Sequence, residues 1–170
     1  MDVGLLVLHG VVGLIMAGHG AQKLFGWFGG HGVQGTAGFV EKLGWQPARA
    51  FAVLLGAAEL LGGLALAVGF LTPLAAAAVI AVLANAAWVV HRPHGLWNNL
   101  GGYEYPLVLI AAATSIAFTG PGRYSVDHVS GWNLSGVDWG VAALAVGALG
   151  WLLGAAARHI SHNHPAGQPA

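Results

Sequence analysis

The 170-residue chain contains no cysteine. That excludes disulfides, thiol redox chemistry and thiolate metal sites, so any electron transfer has to run through a bound cofactor or a partner. Charge is almost as scarce, at 7% of residues, against roughly 25% in an ordinary soluble domain. Six Lys plus Arg balance six Asp plus Glu, leaving no polyelectrolyte surface, and nucleic-acid binding is set aside on that ground. A positive n-region is also missing. The chain starts Met1-Asp2, whereas a secretory signal begins with Lys or Arg, so the first apolar run reads as a membrane helix that is kept. What is abundant is apolar: 56% of residues are hydrophobic. The composition is that of an all-α integral membrane protein.

A spanning helix needs about 20 mostly apolar residues. Five runs approach this length, at about 4–25, 47–70, 73–91, 103–119 and 137–157, the fourth being close to the lower limit. Pro47 suits an opening helical turn, and Thr72-Pro73 reads as a cap followed by the first helical residue. The very short Phe70-Leu71-Thr72 link makes its two helices an antiparallel hairpin. Residues 33–43 form a shorter amphipathic segment, with Val33, Ala37 and Val40 set against Gln34, Glu41 and Lys42. It is expected to lie at the membrane interface between Trp27, Phe28 and Trp45 as aromatic anchors.

In the last run Gly140, Ala143, Gly147, Gly150 and Gly154 recur every three or four residues. Such a stripe lets helices approach closely in lipid and offers a homo-oligomer contact. Residues 1–157 thus form one transmembrane domain. Residues 158–170 read as a disordered tail, whose His159, His162 and His164 are better taken as solvated than as metal ligands. Lys23, Lys42, Arg49, Arg92 and Arg158 gather on one face, against Arg123 opposite. The positive-inside rule makes that face cytoplasmic, with the N-terminus outside.

Ionisable groups inside a membrane segment are costly and tend to face the bundle interior. Glu59 lies halfway along the second run, on a face with the small residues Ala52, Gly56 and Gly63. Met16, His19 and Lys23 share a face of the first run, with Gln22 beside them. By depth, His19 is the expected partner of Glu59, with a merely structural histidine and a protonated structural carboxyl as the alternatives. The connection HRPHGLWNNLGGYEYP adds Asn98, Asn99, Tyr103, Glu104 and Tyr105 on the same face, together with Trp27. Asn85, Trp88 and Arg92 prolong its polar line. Together these make a site that is apolar below and polar above, suited to an amphiphile entering from lipid. An interfacial aromatic belt around a well-bonded turn is the competing explanation.

Four stretches, HGAQKLFGWFGG at 19–30, GAAELLGG at 56–63, NNLGGYEYPL at 98–107 and TGPGRYSVD at 119–127, resemble the DoxX family of bacterial membrane proteins. The resemblance implies a four-helix membrane bundle, here with an added fifth transmembrane helix and a short interfacial helix after the first. It implies similarity to the small DoxD subunit of thiosulfate:quinone oxidoreductase. Mycobacterial members are linked to a membrane oxidoreductase complex in oxidative-stress defence. His19, Gln22, Lys23, Glu59, Asn98, Gly102, Tyr103, Glu104 and Tyr105 fall on its motif positions, whereas the fifth helix and the histidine tail lie outside it.

Two functions compete. One is a quinone-linked oxidoreductase subunit of the bacterial plasma membrane, in which Lys23 or His19 bonds a quinone carbonyl and Glu59 or Glu104 relays protons. No flavin, haem or metal motif is visible, so electrons would come from a partner. The other is a non-catalytic scaffold or assembly factor for a redox enzyme. A transporter ranks below both, for want of an inverted repeat or paired broken helices.

Overall fold

The computed structural model describes residues 2–163, with side chains described to residue 161. The chain is helical throughout its membrane part: α1 (Asp2–Phe25), α2 (Gly32–Lys42), α3 (Ala48–Val68), α4 (Thr72–Ala86), α5 (Glu104–Thr119), α6 (Val126–Val129) and α7 (Val137–Asn163). Helices are what lipid allows, because each spanning segment must satisfy its own backbone polar groups. A π-helical turn over Ala87–His91 and a tight turn over Arg92–His94 carry α4 onward.

Among the described residues, four helices are long and apolar enough to cross a membrane: α1, α3, α4 with its extension, and α7. α5 has 16 residues, about 24 Å at 1.5 Å per residue, so it falls short of the full span expected of it. It still runs between the two ends of the bundle. Its Tyr105 meets His19 near the end of α1, and Gly120, just beyond its last turn, meets His9 near the start.

α1 and α3 form the tightest pair and run antiparallel. Gly13 lies against Gly63 and Ala67, and Gly20 lies against Gly56 and Leu60, so closely that a Cβ at either glycine would collide with the facing backbone. α4 is the most buried helix and α7 the least. The core joins Val12 and Met16 of α1, Leu66 of α3, Val79, Ile80 and Leu83 of α4, and Leu109, Ala113 and Ile116 of α5.

α7 lies parallel to α4, and its small-residue stripe faces α4 and α5. Gly140 faces Phe118, Gly147 faces Ile80, Gly150 faces Ala81 and Gly154 faces Asn85, while Ala143 is buried. The small-residue stripe therefore packs against α4 and α5 of the same chain. The physical requirement for small residues is as expected; a neighbour within the chain fulfils it.

The expected tail also begins too early. α7 continues through 158–163 because its last turns are bonded to the α2–α3 link. Arg158 Nε donates to Leu43 O at 2.6 Å, Trp45 Nε1 to Gly154 O at 2.8 Å, and Gln46 N to Ser161 Oγ at 3.1 Å. Trp45 is consequently buried instead of anchoring at the interface, while Trp27 and Phe28 remain exposed. His159 sits in α7; His164 lies outside the described residues, as does the side chain of His162.

At the opposite end Thr72 does not cap α4. Leu71 precedes the helix in the left-handed region, and the buried Asp127 carboxylate caps it from afar. Its Oδ1 accepts from Leu71 N at 2.7 Å, and its Oδ2 from Thr72 N at 2.9 Å and Thr72 Oγ1 at 2.7 Å.

Candidate functional site

The polar residues of α1 meet the carboxylate of α3 in an ion pair. Lys23 Nζ lies 2.6 Å from Glu59 Oε2. The expected His19 to Glu59 contact is replaced by this one. The antiparallel register does put His19 at the depth of Glu59, but helical side chains lean toward the N-terminus. The four-carbon stem of Lys23, one turn further along, reaches back to the carboxylate. The Glu59 side chain is enclosed, while the Lys23 side chain as a whole retains 23% exposure.

His19 turns to its own helix. Its Nδ1 lies 3.1 Å from Gln22 Oε1, and Gln22 Nε2 donates to Phe28 O at 3.2 Å. That second bond fixes the amide orientation, so the imidazole donates through Nδ1 and, when neutral, leaves Nε2 as an acceptor. The Tyr105 ring stands edge-on to His19, 6.5 Å between centroids.

Beside the pair a cleft of about 310 Å³ opens between the end of α1 and α2. Gln22 and Lys23 form one wall, His31, Thr36 and Phe39 the other, and Gly29 and Gly30 the rim. α2 is held there by Thr36, whose hydroxyl donates to Lys23 O at 3.2 Å. Gly30 packs so tightly on Gln22 that a Cβ would collide with it. Chemically the lining residues bring one cation already paired with an enclosed carboxylate, an amide, a hydroxyl and an aromatic ring.

A family model described as DoxX matches residues 4–92, more than half of the chain. This chain belongs to the DoxX family. None of the curated proteins and none of the solved structures matches it. The DoxX match takes in His19, Gln22, Lys23 and Glu59, together with α2 and the cleft; α5, α6 and α7 lie beyond it.

The expected site residues divide accordingly. Gln22 and Lys23 line the cleft, Glu59 pairs with Lys23 and His19 bonds Gln22, and of the later expected residues Tyr105 reaches this group through His19. Trp27 packs on Phe25 and Phe28 at the bundle end, outside the cleft. The remainder of the α4–α5 connection is bonded to itself. Glu104 Oε2 accepts from Asn98 N at 2.9 Å, Glu104 N donates to Leu96 O at 2.8 Å, and Tyr103 N donates to Gly95 O at 3.1 Å. His91 reaches Gly101 O at 2.8 Å. Asn98, Asn99, Tyr103 and Glu104 thus belong to a folded turn that does not line the cleft.

Asn85, Trp88 and Arg92 face the α7 side: Asn85 abuts Gly154, Trp88 meets Trp151, and the Arg92 guanidinium sits 4.0 Å above the Trp88 ring. Thr36, Phe39 and His31 were missed as lining residues. For Thr36 a signal existed, since it shares the buried face of α2 with Val40 four residues later.

Proposed function

We propose that this DoxX-family protein is the membrane subunit of a quinone-linked oxidoreductase, and that it holds the polar head of a quinone-like amphiphile at the α1–α2 cleft. The reading is carried by one observation: Lys23 lines the cleft and carries a cation whose carboxylate partner, Glu59, is enclosed. A cation so placed attracts a carbonyl oxygen that gains negative charge on reduction. Gln22 and Thr36 offer hydrogen bonds, and Phe39 offers an aromatic wall at the lipid boundary.

Reduction of a quinone to a quinol takes two electrons and two protons. The electrons come from a partner enzyme at the same face. The protons pass by way of Glu59 and Lys23, consistent with the tendency of intramembrane carboxylates to form proton relays. His19, oriented by Gln22, supplies an acceptor next to this path. On this reading the protein belongs to a bacterial plasma membrane with the cleft end cytoplasmic, which the Lys and Arg excess at that end supports.

The test uses purified full-length protein in lipid nanodiscs with a short-chain naphthoquinone. Wild-type protein retains the quinone, and Lys23→Met weakens retention about tenfold, the loss of one charge-assisted hydrogen bond. Glu59→Gln slows quinone reduction in membranes containing the partner. Absence of quinone binding by the wild type, together with unchanged reduction in the Gln variant, overturns the proposal.

A further inference from the structure

The end of the bundle opposite the cleft carries a second concavity. It measures about 360 Å³ and is bounded by the start of α1, the end of α5 and the α6–α7 connection. Its polar walls are Asp2, Arg123, His128, Asn133 and Ser135, with Trp132 as the aromatic side. That volume is at the small end of ligand sites.

The walls are built rather than incidental. Trp132 N donates to Asp127 O at 2.9 Å, Gly131 N to His128 O at 3.0 Å, and Gly136 N to Phe118 O at 2.9 Å. The Trp132 ring packs on Phe70, 6.2 Å between centroids. Ser135 donates to Asn133 at 2.9 Å, fixing that amide. Gly122, in the left-handed region, brings the loop down on Leu5 of α1.

The charges in this concavity are uncommitted. The nearby Asp127 carboxylate accepts three hydrogen bonds in capping α4, and it forms no ion pair with Arg123 among the described residues. Arg123 has no carboxylate within ion-pair distance among the described residues, and neither has His128. Asp2, at the start of α1, supplies one negative charge to the lining. A guanidinium fits a phosphate in a two-pronged contact, and a carboxylate in the same concavity fits an ammonium. The helix ends that form the walls stand at headgroup depth if α1 spans the membrane.

We infer that this concavity is a binding site for a phosphate ester bearing a primary ammonium, the chemistry of an ethanolamine phospholipid head. Arg123, with His128 and Asn133, takes the phosphate. Asp2 takes the ammonium and discriminates against purely anionic heads, and Trp132 packs along the linking carbons. The site lies at the far end from the α1–α2 cleft, so it stands or falls independently of the quinone reading.

Native mass spectrometry of the full-length protein checks it, with wild-type, Arg123→Gln and Asp2→Asn forms each offered phosphatidylethanolamine, phosphatidylglycerol or soluble phosphoethanolamine. The wild type is expected to retain one phosphatidylethanolamine in preference to phosphatidylglycerol. Arg123→Gln lowers that retention about tenfold, and Asp2→Asn abolishes the preference without abolishing binding. Competition by soluble phosphoethanolamine at millimolar level marks a soluble ester as the ligand; its failure to compete marks the lipid. Both substitutions are at the surface, and unchanged helical circular dichroism controls for folding. Equal retention of the two lipids by the wild type, or Arg123→Gln binding as the wild type does, overturns the assignment.

Discussion

Lys23 meets Glu59 across the contact between α1 and α3, with 2.6 Å between Nζ and Oε2. The two helices are pressed together at glycine on either side of this pair, so the ion pair sits in a closely packed seam. Removing one partner leaves a charge or a carboxyl group without its answer in an enclosed place. Removing both leaves an apolar seam.

The stability of the pair should therefore be strongly non-additive. Breaking a buried pair from one side costs about 3 to 5 kcal/mol, whereas replacing both members by apolar groups is often nearly neutral. The partial exposure of Lys23 puts this pair toward the lower figure. Lys23→Met alone should lower the thermal midpoint in detergent clearly, and Lys23→Met combined with Glu59→Leu should recover much of the loss. A double-mutant cycle on those midpoints checks it, and additive losses would show that the two side chains do not act as a pair.

The glycine seam has its own test, in which position decides and residue type does not. A Cβ at Gly20 meets the Leu60 backbone and Gly56 O, whereas one at Gly18, two residues earlier in the same helix, meets nothing within 4 Å. Gly20→Ala must separate α1 from α3 at a cost of about 1 to 3 kcal/mol or more, and the monodisperse fraction on size exclusion should drop. Gly18→Ala should be neutral or slightly stabilising, since alanine favours helix over glycine by about 1 kcal/mol.

Much of this architecture is legible in the sequence because lipid imposes a simple length rule. The expected runs at 47–70 and 137–157 became Ala48–Val68 and Val137–Asn163, and the amphipathic segment at 33–43 became Gly32–Lys42. Of the four stretches on which the DoxX resemblance rested, those at 19–30 and 56–63 lie in the matched region, and the resemblance holds. Depth along α1 and α3 is legible too, yet it pointed to His19. Side-chain direction and reach, not Cα level, select Lys23.

The polar α4–α5 connection misled for a different reason. Composition shows that Asn98 and Glu104 are rich in hydrogen-bonding groups but not that they bond to each other. Likewise the stripe on α7 announced close packing without naming the partner. Asp127 was invisible as a cap, because 55 residues separate it from Thr72.

That long-range cap should be measurable. Asp127 accepts three hydrogen bonds at the start of α4 and helps to hold Leu71 in the left-handed region. Loss of a helix cap costs about 0.5 to 2 kcal/mol, and burial puts Asp127→Ala at the upper end. Asp127→Asn keeps an acceptor for one or two of the bonds and should lie between. Hydrogen exchange is the discriminating readout: amides of Leu71 and Thr72 should lose protection in Asp127→Ala while those at the cleft end of α4 keep theirs.

The last turns of α7 act on the cleft from outside the DoxX-matched segment. α2 forms one wall of the cleft, and the link that follows it is bonded to α7 through Leu43, Trp45 and Gln46. A chain ending after residue 157 retains the Trp45 bond to Gly154 but loses Arg158 and Ser161. The spans themselves lose no core residue by this truncation. Helical content should therefore stay close to wild type in proportion to length, while amide exchange at 43–46 accelerates about tenfold, the loss of roughly 1.4 kcal/mol of local protection. Arg158→Gln should give a smaller acceleration at the same amides. Exchange at 43–46 that is unaltered by the truncation would mean that α2 keeps its place through α1 and α3 alone, and that α7 does not shape the cleft.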